Sequence, residues 1–570
     1  MAGIKKQSFL KGTAVLVAAN FLVKVIGAVF KIPLAHILEE EGMALFSSAY
    51  NFYAILFVIA TAGLPVAVSK MVSESSAKGN EQEARKIFRA ALYLLTVIGL
   101  LGGCILFFCA NLLAKSVGSE NSALGIMAIA PAIFFVAVMS AFRGYFQGRS
   151  TMTPTALSEV AEALGKLVIG LLLAWFLLPK GLINSAAGAV LGVTAGSFLG
   201  FLAIFIIYLV DKKKLHRTVL PVPQPVRSMR KILVELAIIA IPITLGAAVS
   251  SLTNLIDLFM IRQRLGTLIV NPELAITLRE YFALASQEVK IGAELSNKAA
   301  EVIYGAYSGY AVPMFNLPLT IVTALSMCLV PAISGGFALK AMNKVRSLTE
   351  TAVRLTTLFA LPCAAGLFAL AEPILIVVYN NARAHSMLSV LGWAVVFVCL
   401  VSVTTAILQA SGRVMIPVIN MGIGAIVKII SGFFLLATPG INIGGAPIST
   451  VICYFTISML NLIAIAKIIK PKFSLMGNLV KPIMAAIIMI PVARYSFAVI
   501  SSFIGAPIIN SSLSFLPQNI PVTPLESGLL IKTAISLFGA IAIAAAIYFI
   551  LLWVFKAITK DDISAITKRD

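Results

Sequence analysis

Histidine, cysteine patterning and charge are what this chain has little of. Its three histidines, His36, His216 and His385, stand singly in 570 residues. The six cysteines, Cys104, Cys109, Cys328, Cys363, Cys399 and Cys453, fall in apolar runs with neither a CxxC nor a Cys/His spacing. They read as small buried hydrophobes, and no metal site is expected. A phosphate-cradling glycine loop ending in GK[ST] is missing, as is any serine, histidine and carboxylate arrangement, so neither an ATP-driven pump nor an enzyme is expected, and no cofactor. Charged residues make up only 12%, against about 25% in a typical soluble domain. That scarcity excludes an ordinary soluble fold.

What is there is hydrocarbon. Apolar residues make up 60% of the chain, in runs near 9–36, 46–72, 87–114, 122–146, 154–178, 184–210, 232–261, 300–331, 347–371, 384–410, 413–437, 444–469, 476–503 and 527–556. Each is long enough to cross a core of about 30 Å. The expected class is an all-α polytopic membrane protein with fourteen transmembrane helices. The first run is longer than a signal-peptide core of about 7–15 residues, so it is expected to be the first span.

The net charge of +21 does not point to nucleic acid, because the basic residues gather in alternate loops. Lys70, Lys78, Arg85 and Lys86, then Arg143 and Arg149, then "DKKKLHR" at 211–217 mark one side, while "HILEEEG" and "TPGINIGG" between them carry no lysine or arginine. By the positive-inside rule the basic loops and both termini face the cytoplasm of a plasma-membrane protein. Arg143 and Arg149 are expected to anchor that side.

Ionisable residues inside the runs are the candidate functional groups, since a charge at mid-bilayer costs about 3 kcal/mol on insertion scales. In "NFLVKVIGAVFKIPLAHIL", Lys24 and Lys31 are seven apart, only about 20° around a helix axis. Asn20 and Gly27 share their stripe, which is expected to face a wet cavity, with snorkelling to the outer interface as the other reading of Lys31 near the end of its span. The fifth run carries Glu159, Glu162 and Lys166 on one face. Glu162 and Lys166, four apart, are expected to pair, either as a fixed structural pair or as one that a phosphate displaces. On the seventh run Ser250, Asn254 and Asp257 share a stripe. Asp257 is a candidate proton or cation carrier, with a local pair to Arg262 or Arg264 as the other reading.

An internal duplication is also legible. "FQGRSTMTPTALSEVAEALGKLVIG" (146–170) parallels "LQASGRVMIPVINMGIGAIVKIISG" (408–432), aligning Gln147 with Gln409, Lys166 with Lys428 and Gly170 with Gly432. Transporters are often built from such repeats. Two six-helix lobes are expected at 1–210 and 232–470, joined by a basic linker at 211–231, with two further helices in 471–570. The polar stretch 262–299 is expected to hold a short surface helix.

With these motifs, and with "FKIPLAHILEEEGMALFSSAYNFY" at 30–53 and "GAYSGYAVPMFNLPLTIVTALSMCLVPAISGGFA" at 305–338, nearly the whole chain resembles the lipid II flippase (MurJ-like) group of the MOP superfamily. The branch it looks most like is the Gram-positive SpoVB type. The resemblance implies two six-helix lobes around a cationic cavity, a hydrophobic groove on the last two helices, and a lipid-linked glycan substrate, undecaprenyl-diphosphate-linked peptidoglycan precursor. It also implies contacts with membrane lipids and with cell-wall synthesis machinery. The cavity residues carried onto this chain are Lys24, Lys31, Lys166 and Lys428, with Glu159, Glu162 and Asn316. Asp257, Asn254 and Asn420 are the candidates for sodium or proton coupling, with the membrane potential as the other driving force. The chain departs from the pattern at Pro313, where some relatives carry an arginine, and at Gly424, which supplies no carboxylate beside Asn420. Three alternatives stay open: a flippase for another lipid-linked polysaccharide, a MATE-like drug or cation antiporter, and a non-transporting scaffold for cell-wall or spore assembly.

Overall fold

A computed structural model describes residues 9–149, 151–215, 227–268, 293–438, 441–471, 480–506 and 526–555, and no strand occurs among them. The chain divides into two compact units, Met1–Phe259 and Met260–Asp570. This boundary falls inside a helix rather than in the basic stretch 211–231.

The first unit contains α1 (Phe9–Thr61), α2 (Gly63–Ala77), α3 (Glu81–Phe108), α4 (Ala110–Ser116), α5 (Ala123–Gly148), α6 (Thr153–Leu177) and α7 (Leu182–Leu215), plus most of α8 (Met229–Leu268). The loop expected at "HILEEEG" is instead a reversal at one residue of α1, Glu39, with φ 52° and ψ −163°. That backbone region is normally reserved for glycine, so the reversal stores about 1–3 kcal/mol. It folds the two arms of α1 together, bringing the Phe30 and Phe46 rings to 6.0 Å.

Helix α5 is apolar all round and is buried all round, packed by α1, α2, α3 and α7, as such a helix must be when surrounded. The tightest contact is between α6 and α7. Along α7, Gly188, Gly192, Gly196 and Gly200 recur every four residues and so line one face. A Cβ on Gly192 would lie 2.1 Å from the Gly170 Cα, and one on Gly196 would lie 2.5 Å from the Glu162 carbonyl oxygen. Only hydrogen fits there, the usual means by which membrane helices approach closely.

The stretch after the basic linker is tied to the α2–α3 turn. Arg227 donates from Nε to Glu83 at 2.6 Å and pairs with Glu235, while Lys86 donates to the Arg227 carbonyl at 2.7 Å. Asn80 caps α3 by accepting from the Glu83 N–H at 3.0 Å.

The second unit contains the end of α8, α9 (Ala293–Ala306), α10 (Val312–Ala338), α11 (Met342–Ala369), α12 (Ala371–Tyr379), α13 (His385–Ala410), α14 (Met415–Leu436), α15 (Gly445–Ile468), α16 (Lys481–Ile504) and α17 (Ser527–Val554). Of the expected surface segment 262–299, residues 262–268 and 293–299 extend α8 and α9, and 269–292 lie outside the described residues. A π-type turn at Tyr307–Ala311 joins α9 to α10 just before Pro313, which has no N–H to continue the ladder. Helices α16 and α17 pack on each other and against α11, where the Tyr548 hydroxyl donates to the Leu358 carbonyl at 3.1 Å.

The duplication extends well beyond the quoted motif. The run long helix, short helix, buried helix, then two paired helices occurs as α3–α4–α5–α6–α7 and again as α11–α12–α13–α14–α15, with corresponding starts 261 to 263 residues apart. Like α5, α13 is the most enclosed helix of its unit.

Among the described residues, eleven helical stretches are long and apolar enough to cross a membrane. The first of them, Ala18–Ser76, contains the Glu39 reversal and so merges two of the expected runs. Large apolar side chains such as Ile238, Phe434, Phe538 and Phe549 point outward, a surface suited to hydrocarbon rather than water.

Candidate functional site

In the first unit one group of ionisable residues, Lys31, Arg143, Glu159, Glu162 and Lys166, gathers where α1, α5, α6 and α7 meet. Phe30 and Tyr50, on opposite arms of the α1 reversal, both lie under the Lys166 ammonium of α6, with ring centroids 5.1 and 4.7 Å from Nζ. A cation over two aromatic faces is held electrostatically without being neutralised. Lys31, one residue after Phe30, is close enough for its charge and that of Lys166 to repel. Lys24 lies two turns earlier on the same stripe of α1 and is partly exposed.

The expected Glu162–Lys166 pair is not formed. Glu162 is held by Arg143 of α5, whose terminal nitrogen donates at 3.0 Å while its Nε donates to Ser158 at 2.9 Å. A planar guanidinium can serve both acceptors at once, which an ammonium four residues away on the same helix cannot match. Ser197 of α7 donates to the other Glu162 oxygen at 3.5 Å, and the buried Tyr53 lies beside this cluster. Among the described residues neither Lys31 nor Lys166 forms an ion pair with a carboxylate. Glu159, a turn before Glu162, has one oxygen buried with no hydrogen-bond partner among the described residues.

Both arginines expected to anchor the membrane face have partners within the protein. Arg143 is buried in the cluster just described. Arg149 pairs with Glu81 at 3.2 Å and donates to the Tyr145 hydroxyl at 2.7 Å. The signal for Arg143 lay in the sequence: it precedes the end of an apolar helix by more than a turn, with Phe142 just before it and Tyr145 two residues after. Arg494, mid-way along α16, is a further intramembrane cation that the hydropathy of its run conceals. Its guanidinium stacks over Phe368 at 5.4 Å, and its Nε is buried without a partner among the described residues.

In the second unit Lys428 occupies the place on α14 that Lys166 has on α6, and it is almost fully buried. Asn420 donates to the Asn461 side-chain oxygen at 2.8 Å, and Asn461 donates to Thr404 at 3.1 Å and Thr405 at 3.3 Å. In the repeat register, Asn420 and Thr405 correspond to Ser158 and Arg143. The Arg143–Ser158 hydrogen bond of the first unit is replaced in the second by a neutral tie from Asn420 to Thr405 through the Asn461 amide, and Gly424 stands where the first unit has Glu162. Replacing Asn461 by alanine strands those partners, and an unsatisfied buried polar group costs about 1–3 kcal/mol. A fall in the thermal midpoint of detergent-solubilised protein is the expected readout, and an unchanged midpoint would refute the tie. Asp257 is buried and Asn254 is exposed, on α8. Arg262 pairs with Glu301 at 2.8 Å. Asn316 lies partly buried on α10.

Residues 9–337 match the family model "Polysaccharide biosynthesis protein", and residues 291–516 match "Lipid II flippase MurJ". Among curated proteins the chain is similar to the stage V sporulation protein B of Bacillus subtilis (strain 168), 29% identical over 98% of each chain. It is also similar to the lipid II flippase MurJ of the same organism, 26% identical over 74% of this chain and 76% of that one. Among solved structures, that of a lipid II flippase MurJ in an inward closed conformation matches with a TM-score of 0.64 at 15% identity, covering 95% of this chain and 98% of that chain.

Proposed function

Since the chain belongs to the polysaccharide biosynthesis protein family of the MOP superfamily, a multi-pass membrane protein of the flippase and transporter kind, we propose that it flips a lipid-linked glycan across the plasma membrane. The substrate we assign is undecaprenyl-diphosphate-linked peptidoglycan precursor, lipid II, carried from the inner to the outer leaflet by alternating access. The observation that carries this reading is the pair Lys31 and Lys166. The Lys166 ammonium rests on the Phe30 and Tyr50 rings within the field of the Lys31 ammonium, and among the described residues no carboxylate is paired to either.

Two like charges in a poorly solvated site repel, and a ligand that brings clustered anionic oxygens relieves the repulsion. A diphosphate is such a ligand, and the lysine stems can lie along the apolar walls while the heads meet it. An organic cation would be repelled by the same pair, which counts against the drug antiporter reading. With no phosphate-cradling loop in the chain, we place the driving force in an ion gradient or the membrane potential. The potential contributes about 2.3 kcal/mol per elementary charge per 100 mV.

The test is complementation. In cells depleted of their own lipid II flippase, this chain is expected to restore lipid II to the outer leaflet, followed by its accessibility to an externally added probe. Correct insertion without restored exposure would sink lipid II as the substrate and bring another lipid-linked glycan forward.

A further inference from the structure

Glu162 stands within reach of two cations and can serve one at a time. Toward α5 it meets Arg143 at 3.0 Å; along α6 it is four residues before Lys166, the spacing of a helical ion pair. Here Arg143 has it, and Lys166 rests on the Phe30 and Tyr50 rings instead. Glu159, a turn earlier on the same face, lies in the field of Arg143, with one oxygen buried and without a hydrogen bond among the described residues. Arg143 therefore has a second carboxylate to take if Glu162 leaves, so neither arrangement strands a buried guanidinium.

We propose that Glu162 exchanges between Arg143 and Lys166, with Glu159 replacing it on Arg143, and that this exchange switches the Lys31–Lys166 site between holding and releasing an anionic diphosphate. The inference rests on the diphosphate reading of that site. With Glu162 on Arg143 the lysines are uncompensated and the site holds its anion. With Glu162 on Lys166 the carboxylate occupies the anion's place, and the anion leaves. A carrier needs such a difference between its states, because a ligand bound equally by both shifts nothing. Arg143 is thus a positioning residue: it acts on the anion through Glu162.

The test uses the full-length protein in detergent and a fluorescent short-chain polyprenyl diphosphate, with binding followed by anisotropy. Arg143→Gln frees Glu162 for Lys166 and is expected to weaken binding about tenfold, within the usual range of coupling between sites. Adding Glu162→Gln removes the competing carboxylate, and the double variant is expected to return to within about twofold of wild type. Glu162→Gln alone is expected to bind about threefold tighter than wild type. If the double variant binds as weakly as Arg143→Gln, Arg143 serves the anion or the fold directly and the exchange is overturned. If Arg143→Gln does not fold, Glu162→Gln alone decides: affinity equal to or below wild type overturns the exchange. If wild type does not bind the probe and Lys166→Ala changes nothing, the diphosphate reading itself has failed, and the exchange with it.

Discussion

On the proposed lipid II reading, cells that depend on this chain are expected to lose at least about 99% of outer-leaflet lipid II when Lys31 and Lys166 are both replaced by alanine, since removing a desolvated charge contact costs about 2–5 kcal/mol and each 1.4 kcal/mol is tenfold. The measurement is outer-leaflet lipid II at matched expression, with Lys180→Ala, an exposed lysine after α6, as the control expected to stay within about twofold. Thermal stability separates this from a structural role. Because Lys31 and Lys166 repel and neither pairs with a carboxylate among the described residues, removing Lys31 alone should leave the midpoint in detergent unchanged or raised, whereas removing Lys166 also gives up its contacts with Phe30 and Tyr50. Were Lys31 a structural cation, the midpoint would drop on its removal. Export that survives the double replacement would mean that these lysines do not meet the substrate, and Lys24 and Lys428 would be the next cations to test.

Gly192→Leu is expected to have the largest effect on folding. A Cβ at that position falls 2.1 Å from the Gly170 Cα, so the obstacle is backbone and no rotamer change can relieve it. Ordinary overpacking costs about 1–3 kcal/mol because side chains can shift; with α6 and α7 forced apart, the cost here should exceed about 3 kcal/mol. The site suffers with the fold, because Gly196 on the same face seats α7 against the backbone of Glu162 and Lys166. Size-exclusion of detergent extracts should show loss of the monodisperse peak for Gly192→Leu. Gly366→Ala, whose Cβ meets nothing within 4 Å, should keep that peak and gain about 0.5–1 kcal/mol from helix propensity. A normal peak for Gly192→Leu would refute the close approach of α6 and α7.

Much of the architecture was legible in the residues. Apolar runs separated by basic and non-basic loops located the helices, and the aligned "FQGRSTMTP" and "LQASGRVMIP" segments exposed a duplication that the helix order carries over five helices of each unit. The fourteen expected runs stand beside eleven helical stretches that meet the length and hydropathy of a span among the described residues. Part of the difference is the single-residue reversal at Glu39, which hydropathy reads as a polar loop. Most of the ionisable residues of the site were identified by their cost in hydrocarbon, but Arg143 was read as a membrane-face anchor, and the partner of Glu162 was misassigned. Spacing along one helix nominated Lys166, whereas Arg143, nineteen residues earlier in the chain, holds it.

By itself the sequence determined which segments are helical, which faces are apolar, that Lys24, Lys31, Glu159, Glu162 and Lys166 fall within apolar runs, and that the chain is duplicated. Each of these follows from the transfer free energy or periodicity of residues near one another in the chain, so no distant contact is needed to read them. Only the tertiary structure decided which charges are compensated. The reversal at Glu39 lays Phe30 and Tyr50 under Lys166, the glycine seam brings α7 against α6, and Arg143 crosses from α5 to take the carboxylate that local spacing had assigned to Lys166. An ion pair depends on distance through space and on what else competes for the same oxygen, and neither is a function of separation along the chain.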